Sequence, residues 1–84
     1  MTIEERVRAF ILECFYVSDP GKLTDDVSLI DTGYVDSTGM MDIILFLEGE
    51  YDIGIEDHET IPQNLESISR IAAFVTRKQV VATA

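Results

Sequence analysis

Ser37, His58 and the triplet Asp31-Thr32-Gly33 are the residues of this 84-residue chain whose types suggest chemistry. A serine and a histidine can serve as nucleophile and base in ester hydrolysis. An aspartate in such a triplet can belong to a pair of carboxylates sharing one proton, the device of acid proteases. Neither reading fits its surroundings. Ser37 lacks the G-x-S-x-G turn that exposes a hydrolase serine. The paired-carboxylate device needs a mostly β scaffold, and the apolar residues here recur at helical spacing almost throughout, so Asp31-Thr32-Gly33 reads as a turn. The acids at Asp25-Asp26 and from Asp52 to Glu59 miss the spacing of a calcium loop. There is no glycine-rich phosphate loop. His58 has neither cysteine nor a second histidine beside it, so no metal site is expected. The expectation is a chain with no catalytic residue, not an enzyme.

Asp36-Ser37 invites a different chemistry. The pair stands where a loop of turn formers meets a long apolar run, with Asp36 as N-cap and Ser37 at the first helical position. A serine there can be a covalent attachment point, because free amides and the positive end of the helix dipole favour an attached phosphodiester. Along the run, 100° steps put Met40, Ile43, Ile44, Leu47 and Tyr51 on one face, the core side. Asp42, Gly49 and Asp52 fall opposite. Met41 and Leu45 lie off the core face among Asp42, Glu48 and Asp52, which suggests a contact patch for a partner.

Other elements must position that helix. Thr2-Ile3-Glu4-Glu5 has capping-box spacing, and Ile3, Val7, Phe10, Ile11, Cys14 and Phe15 form an apolar face behind it. This first helix is expected to stop near Val17, before Ser18-Asp19-Pro20-Gly21. Cys14 falls on the apolar face, as a buried small hydrophobe. A loop from about Ser18 to Val35 follows, anchored by Leu23, Val27, Leu29 and Ile30; loops this long tend to be functional. After Gly54, residues 55–59 make at most a helical turn, ended before Pro62. A last helix is expected from about Leu65 to Lys78, with a frayed tail from about residue 80. Three main helices, one short one and no convincing strand predict an all-α small four-helix bundle, one domain over 1–84.

The net charge of −10 is unevenly spread: no Lys or Arg occurs between Leu23 and Ser69, where twelve of the sixteen acidic residues fall. Such a block repels nucleic acid and anionic membranes and attracts proteins with basic surfaces. One cysteine excludes an intrachain disulfide. With no signal-like N-terminus and no membrane-length apolar run, a cytoplasmic protein without membrane insertion is expected.

The stretch DSTGMMDIILFLEGEYDIGI resembles the second helix and following loop of acyl carrier proteins. Asp36-Ser37, Leu47-Glu48, Tyr51 and Ile55 fall on the marks of that family, and the likeness extends to the closing SISRIAAFV. The resemblance implies a four-helix bundle whose serine, Ser37, receives 4′-phosphopantetheine from coenzyme A through a phosphopantetheinyl transferase. The thiol of that arm holds acyl groups as thioesters. Asp36 would orient the serine and assist the magnesium-dependent transfer. Thr38, Met41, Asp42, Leu45, Glu48 and Ile55 would meet partner enzymes. A free-standing, monomeric carrier is implied, passing cargo between a loading ligase and receiving enzymes with basic surfaces.

Two residues depart from the fatty-acid pattern. Thr38 stands where Leu or Met is usual, and Gly39, with Gly33-Tyr34-Val35, is closer to D-alanyl and other aminoacyl carriers. The cargo is therefore fatty acyl, short acyl or aminoacyl. Met40, Ile44, Leu47 and Ile55 are the expected lining of any space between helices, with little slack beside bulky Ile43, Phe46 and Tyr51. A reading of another class is a helical adaptor with no prosthetic group, whose acidic helix binds a basic partner.

Overall fold

The capping box read at the N-terminus forms in the computed structural model, which describes residues 2–83, with side chains for residues 2–80. Glu5 N–H donates to Thr2 Oγ1 at 3.1 Å, and Thr2 N–H donates to Glu5 Oε1 at 2.9 Å, opening α1 (Ile3–Cys14). The helix ends three residues before Val17. Phe15 turns extended while its N–H still donates to Ile11 O. Cys14, expected on the buried face, is exposed. It is the last helical residue, and Phe15 rather than Cys14 packs against the core.

The long loop is tied down by polar bonds as well as by apolar anchors. A 3₁₀ turn, Pro20–Lys22, opens it, capped by the Asp19 side chain. Leu29 N–H then donates to Glu66 O at 2.8 Å, and Ser69 N–H to Asp25 O at 2.9 Å. Arg8 of α1 pairs with Asp25 and donates through Nε to Leu23 O. Leu23, Leu29 and Val35 are buried and Val27 half-buried. Ile30 is exposed and so corrects the list of anchors. The Asp31-Thr32-Gly33 triplet is a turn, with Gly33 at φ 79°, a left-handed value that glycine adopts without steric cost.

Helix α2 (Ser37–Tyr51) buries Ile43, Ile44 and Leu47, as its periodicity requires. A 3₁₀ turn (Asp57–Glu59) and a one-turn helix, α3 (Pro62–Leu65), follow. Pro62 opens α3 at the position where its missing N–H is harmless. Leu65 thus closes α3 instead of beginning the last helix. Ser67 makes the break: its Oγ accepts from Arg70 N at 3.2 Å and its carbonyl from Ile71 N at 2.9 Å. Helix α4 runs Ile68–Thr83, past the expected end at Lys78. Residues 80–83 continue its backbone; Ala84 lies outside the described residues. Val7, Ile11, Leu29, Ile43, Leu47, Ile68, Ile71 and Val75 fill one core, completing the all-α bundle. No helix among the described residues is long and apolar enough to cross a membrane.

Candidate functional site

The start of α2 is built around Asp36. Its extended backbone ends the loop, and its Oδ1 accepts from Gly39 N at 2.6 Å, while its carbonyl accepts from Met40 N at 2.8 Å. The Gly39 bond satisfies one of the four amides that a helix N-terminus leaves over, and the Met40 bond is the first within the helix itself. The amides of Ser37 and Thr38 have no acceptor among the described residues. Asp36, Ser37 and Thr38 are all exposed. A hydroxyl is therefore presented to solvent at the positive end of a 15-residue helix, next to two free N–H donors. A phosphate ester on Ser37 fits this place without displacing any described contact.

Beyond the first turn, Met41 (54% exposed) and Leu45 (62% exposed) stand one turn apart on the surface of α2, with Asp42 exposed beside them. Glu48 and Ile55 behave differently from the other predicted contact residues, which are exposed. Glu48 is half-buried, and its Oε2 accepts from Ile55 N at 3.0 Å, tethering the loop after α2 to the helix. Ile55 in turn packs against the core.

Folding redistributes charge. Arg6 pairs with Glu50, Arg8 with Asp25, Arg70 with Glu66, and Lys78 with Glu59. The basic residues of α1 and α4 thus neutralise some of the acids of α2, of the long loop and of the segment after α2. Asp31, Asp36, Asp42, Asp52, Glu56 and Asp57 have no basic partner among the described residues, and all are exposed. They leave unneutralised negative charge along α2 and in the loops on either side of it.

A groove of about 230 Å³ opens on one side of this helix start. Met40, Ile30, Ile61, Pro62 and Leu65 give it apolar walls, with Ser28, Asp31, Thr60 and Glu66 adding polar groups. Of the four residues expected to line a space between helices, only Met40 does so. Ile44 and Leu47 are packed into the core cluster and Ile55 leans on it, so the open volume lies between the long loop and α3 instead. Residue spacing within α2 holds no sign of this, because most of the lining comes from the loop and from 60–66. On the other side of the helix start stands Phe15. Its ring approaches Gly39 so closely that a Cβ at that position would lie 2.5 Å from Phe15 Cε1. Sequence reading missed that contact; a glycine in the first turn of an otherwise apolar helix was its one visible sign.

His58 is exposed in its 3₁₀ turn. Among the described residues, no three His, Cys, Asp or Glu side chains come together closely enough to hold a metal ion.

The chain is 32% identical over 76 residues to a protein of Caulobacter vibrioides named acyl carrier protein, covering 90% of this chain and 94% of that one. A protein of the same name from Buchnera aphidicola is 32% identical over 76 residues, 90% of this chain and 91% of its own. One from Bdellovibrio bacteriovorus is 28% identical over 78 residues, 93% and 96%. No protein-family model matches the chain.

Proposed function

The chain belongs to the acyl carrier protein family, and from that premise we propose that it carries acyl groups on a 4′-phosphopantetheine arm attached to Ser37. The observation that bears most weight is the exposed Ser37 hydroxyl at the first position of α2, beside two amides without acceptors. The arm supplies a thiol, on which cargo is held as a thioester. Ser37 Oγ is the nucleophile: it forms a bond to the pantetheine-side phosphorus of coenzyme A as the pyrophosphate P–O bond breaks. 3′,5′-ADP leaves, and the serine proton passes to a base of the phosphopantetheinyl transferase. Asp36 is committed through Oδ1 to the Gly39 amide, which leaves Oδ2 to face the magnesium that the transferase brings. The Ser37 and Thr38 amides then face the new phosphodiester.

Partner enzymes meet the α2 side. Thr38, Met41 and Leu45 offer apolar and small contact surface, and Asp42 and Glu48 add charge for a basic patch. Ile55, held by Glu48, sets the rim of that surface. Charge complementarity of this kind acts chiefly on encounter rate and choice of partner. A loading ligase and receiving enzymes with basic surfaces are the partners in this reading, and the cytoplasm its compartment.

The groove beside Met40 bears on the cargo. Its apolar walls suit a short acyl chain. A second reading, an aminoacyl cargo, is favoured by Asp31 in the same lining, whose carboxylate has no basic partner among the described residues and would attract an ammonium group.

Intact-mass measurement after incubation with coenzyme A and a broad-specificity phosphopantetheinyl transferase tests the attachment. One phosphopantetheine should be gained by the wild type and none by Ser37→Ala. A wild type of unchanged mass would leave the adaptor reading in its place.

A further inference from the structure

Glycine inside a helix is about 1 kcal/mol worse than alanine, yet Gly39 sits in the first turn of α2, two residues after Ser37, and is buried. Its φ is not positive, so backbone freedom does not explain it. Close approach does. A Cβ there would stand 2.5 Å from Phe15 Cε1, 3.2 Å from Phe15 Cζ and 3.1 Å from Asp36 Oδ1. Phe15 reaches this place because α1 ends at Cys14 and the chain turns extended. The same ring meets Phe10 edge-on, with centroids 6.2 Å apart at 73°. Phe10 stacks on Phe46 of α2 at 4.2 Å and 18°. Rings from α1 therefore grip α2 at its first turn and again at its middle.

Gly39 is also the donor to Asp36 Oδ1. The Phe15 ring lies against the residue that makes the capping bond, so a shift of the ring disturbs the cap directly. We propose that Phe15 and Gly39 are positioning residues for modification at Ser37: ring against bare Cα fixes the first turn of α2, and with it the Asp36 carboxylate and the serine hydroxyl. The inference rests on Ser37 as the attachment residue. Neither Phe15 nor Gly39 touches the reacting atoms; both act through Asp36 and the backbone.

A residue that only fills space would change stability and leave the modification rate alone. Gly39→Ala should instead lower kcat for modification by about tenfold, since small misplacements of reacting groups carry large rate penalties. KM for coenzyme A should not move. Phe15→Leu added to Gly39→Ala makes room for the methyl and should recover most of the rate. Val75→Ala, a core deletion in α4, serves as the control: it should lower Tm and leave kcat unchanged. A Gly39→Ala chain modified at the wild-type rate would overturn the positioning role alone. So would a double variant that recovers nothing, or a Val75→Ala chain slowed as much. A wild type that takes up no mass overturns the attachment reading and this inference together.

Discussion

Gly39 and Met40 are neighbours in α2, yet they lead to opposite kinds of packing. Gly39 meets Phe15, and behind that contact Phe10 and Phe46 continue a ladder of rings between α1 and α2. Met40 faces a groove of about 230 Å³ whose far wall is the segment from Thr60 to Leu65. The ring flank is held by ring contacts, strong only where shapes meet closely. Its own groove, about 190 Å³ against Phe10 and Phe46, opens away from Gly39 between Arg6, Ala9 and Glu13. The segment that forms the far wall of the open flank is held by polar ties, most of them to α4. Lys78 Nζ donates to both Glu59 oxygens, at 2.9 and 3.1 Å; Asn64 Nδ2 donates to Glu59 O at 2.9 Å, and Arg77 to Asn64 Oδ1 at 2.8 Å. One helix start is thus anchored on one side and left accessible on the other. The attachment proposed at Ser37, a serine held still and a group free to move, would have use for both.

The sharpest way to break this comparison is to delete a side chain from each flank. Phe46→Ala removes a half-buried ring from the ladder and should cost about 2 kcal/mol, somewhat less than a fully buried phenylalanine. Ile61→Ala, at the mouth of the groove, removes a side chain already 41% exposed and should cost less than about 1 kcal/mol. Urea unfolding of both variants checks the contrast. Equal losses would mean that the groove side is packed as firmly as the ring side.

A smaller effect should separate the flanks by pH. The amide of Glu56 and then the Lys78 ammonium hold the Glu59 carboxyl below its ordinary value of 4.5. A carboxyl depressed in the folded state adds stability that is fully present above its unfolded pKa and is lost as pH falls through the folded one. The wild type should therefore lose stability below about pH 4.5 from this source. Lys78→Met should cost about 1 kcal/mol at neutral pH for this partly exposed pair and reduce the acid dependence. Part of that dependence should survive, because the Glu56 amide remains. Melting temperatures from pH 3 to 7 read the difference; identical pH profiles would show that the ion pair does not hold the groove wall.

What could be read from the sequence was local. The Thr2 and Asp36 caps, the burial of Ile43, Ile44 and Leu47, and the exposure of Met41 and Leu45 follow from spacing within one helix. Spacing also placed Cys14 on the buried face, and there it failed. The end of α1 at Cys14 goes with a contact that spacing within the helix does not contain, Phe15 against Gly39, 24 residues along the chain. Ser67 was hidden for the same kind of reason: Leu65 and Ile68 are both apolar, so the pattern runs across a break that one side-chain acceptor creates. The position of Ser37 at the start of α2 was legible because a cap, a turn and an apolar run adjoin it in sequence. The groove was not, since the loop and α3 each supply part of it.

The smallest expected effect is a change in chemical shift rather than in stability, and it concerns where cargo rests. Ile44 and Leu47 lie in the filled core, and reaching them would mean prising α2 from tight packing. The groove needs no such opening. Each methylene buried in it is worth about 0.8 kcal/mol, but its rim is open and polar, so long chains should be covered only in part. Loading the phosphopantetheine form with a short acyl group should shift the resonances of Ile30, Met40, Ile61 and Leu65, while Phe15, Phe10 and Phe46 stay in place. An aminoacyl group should add shifts at Asp31, which lines the same space and has no basic partner among the described residues. Shifts at Leu47 and the ring ladder instead would show that cargo enters the core or the ring flank. Changes confined to Ser37 and Thr38 would leave it on the arm, outside both.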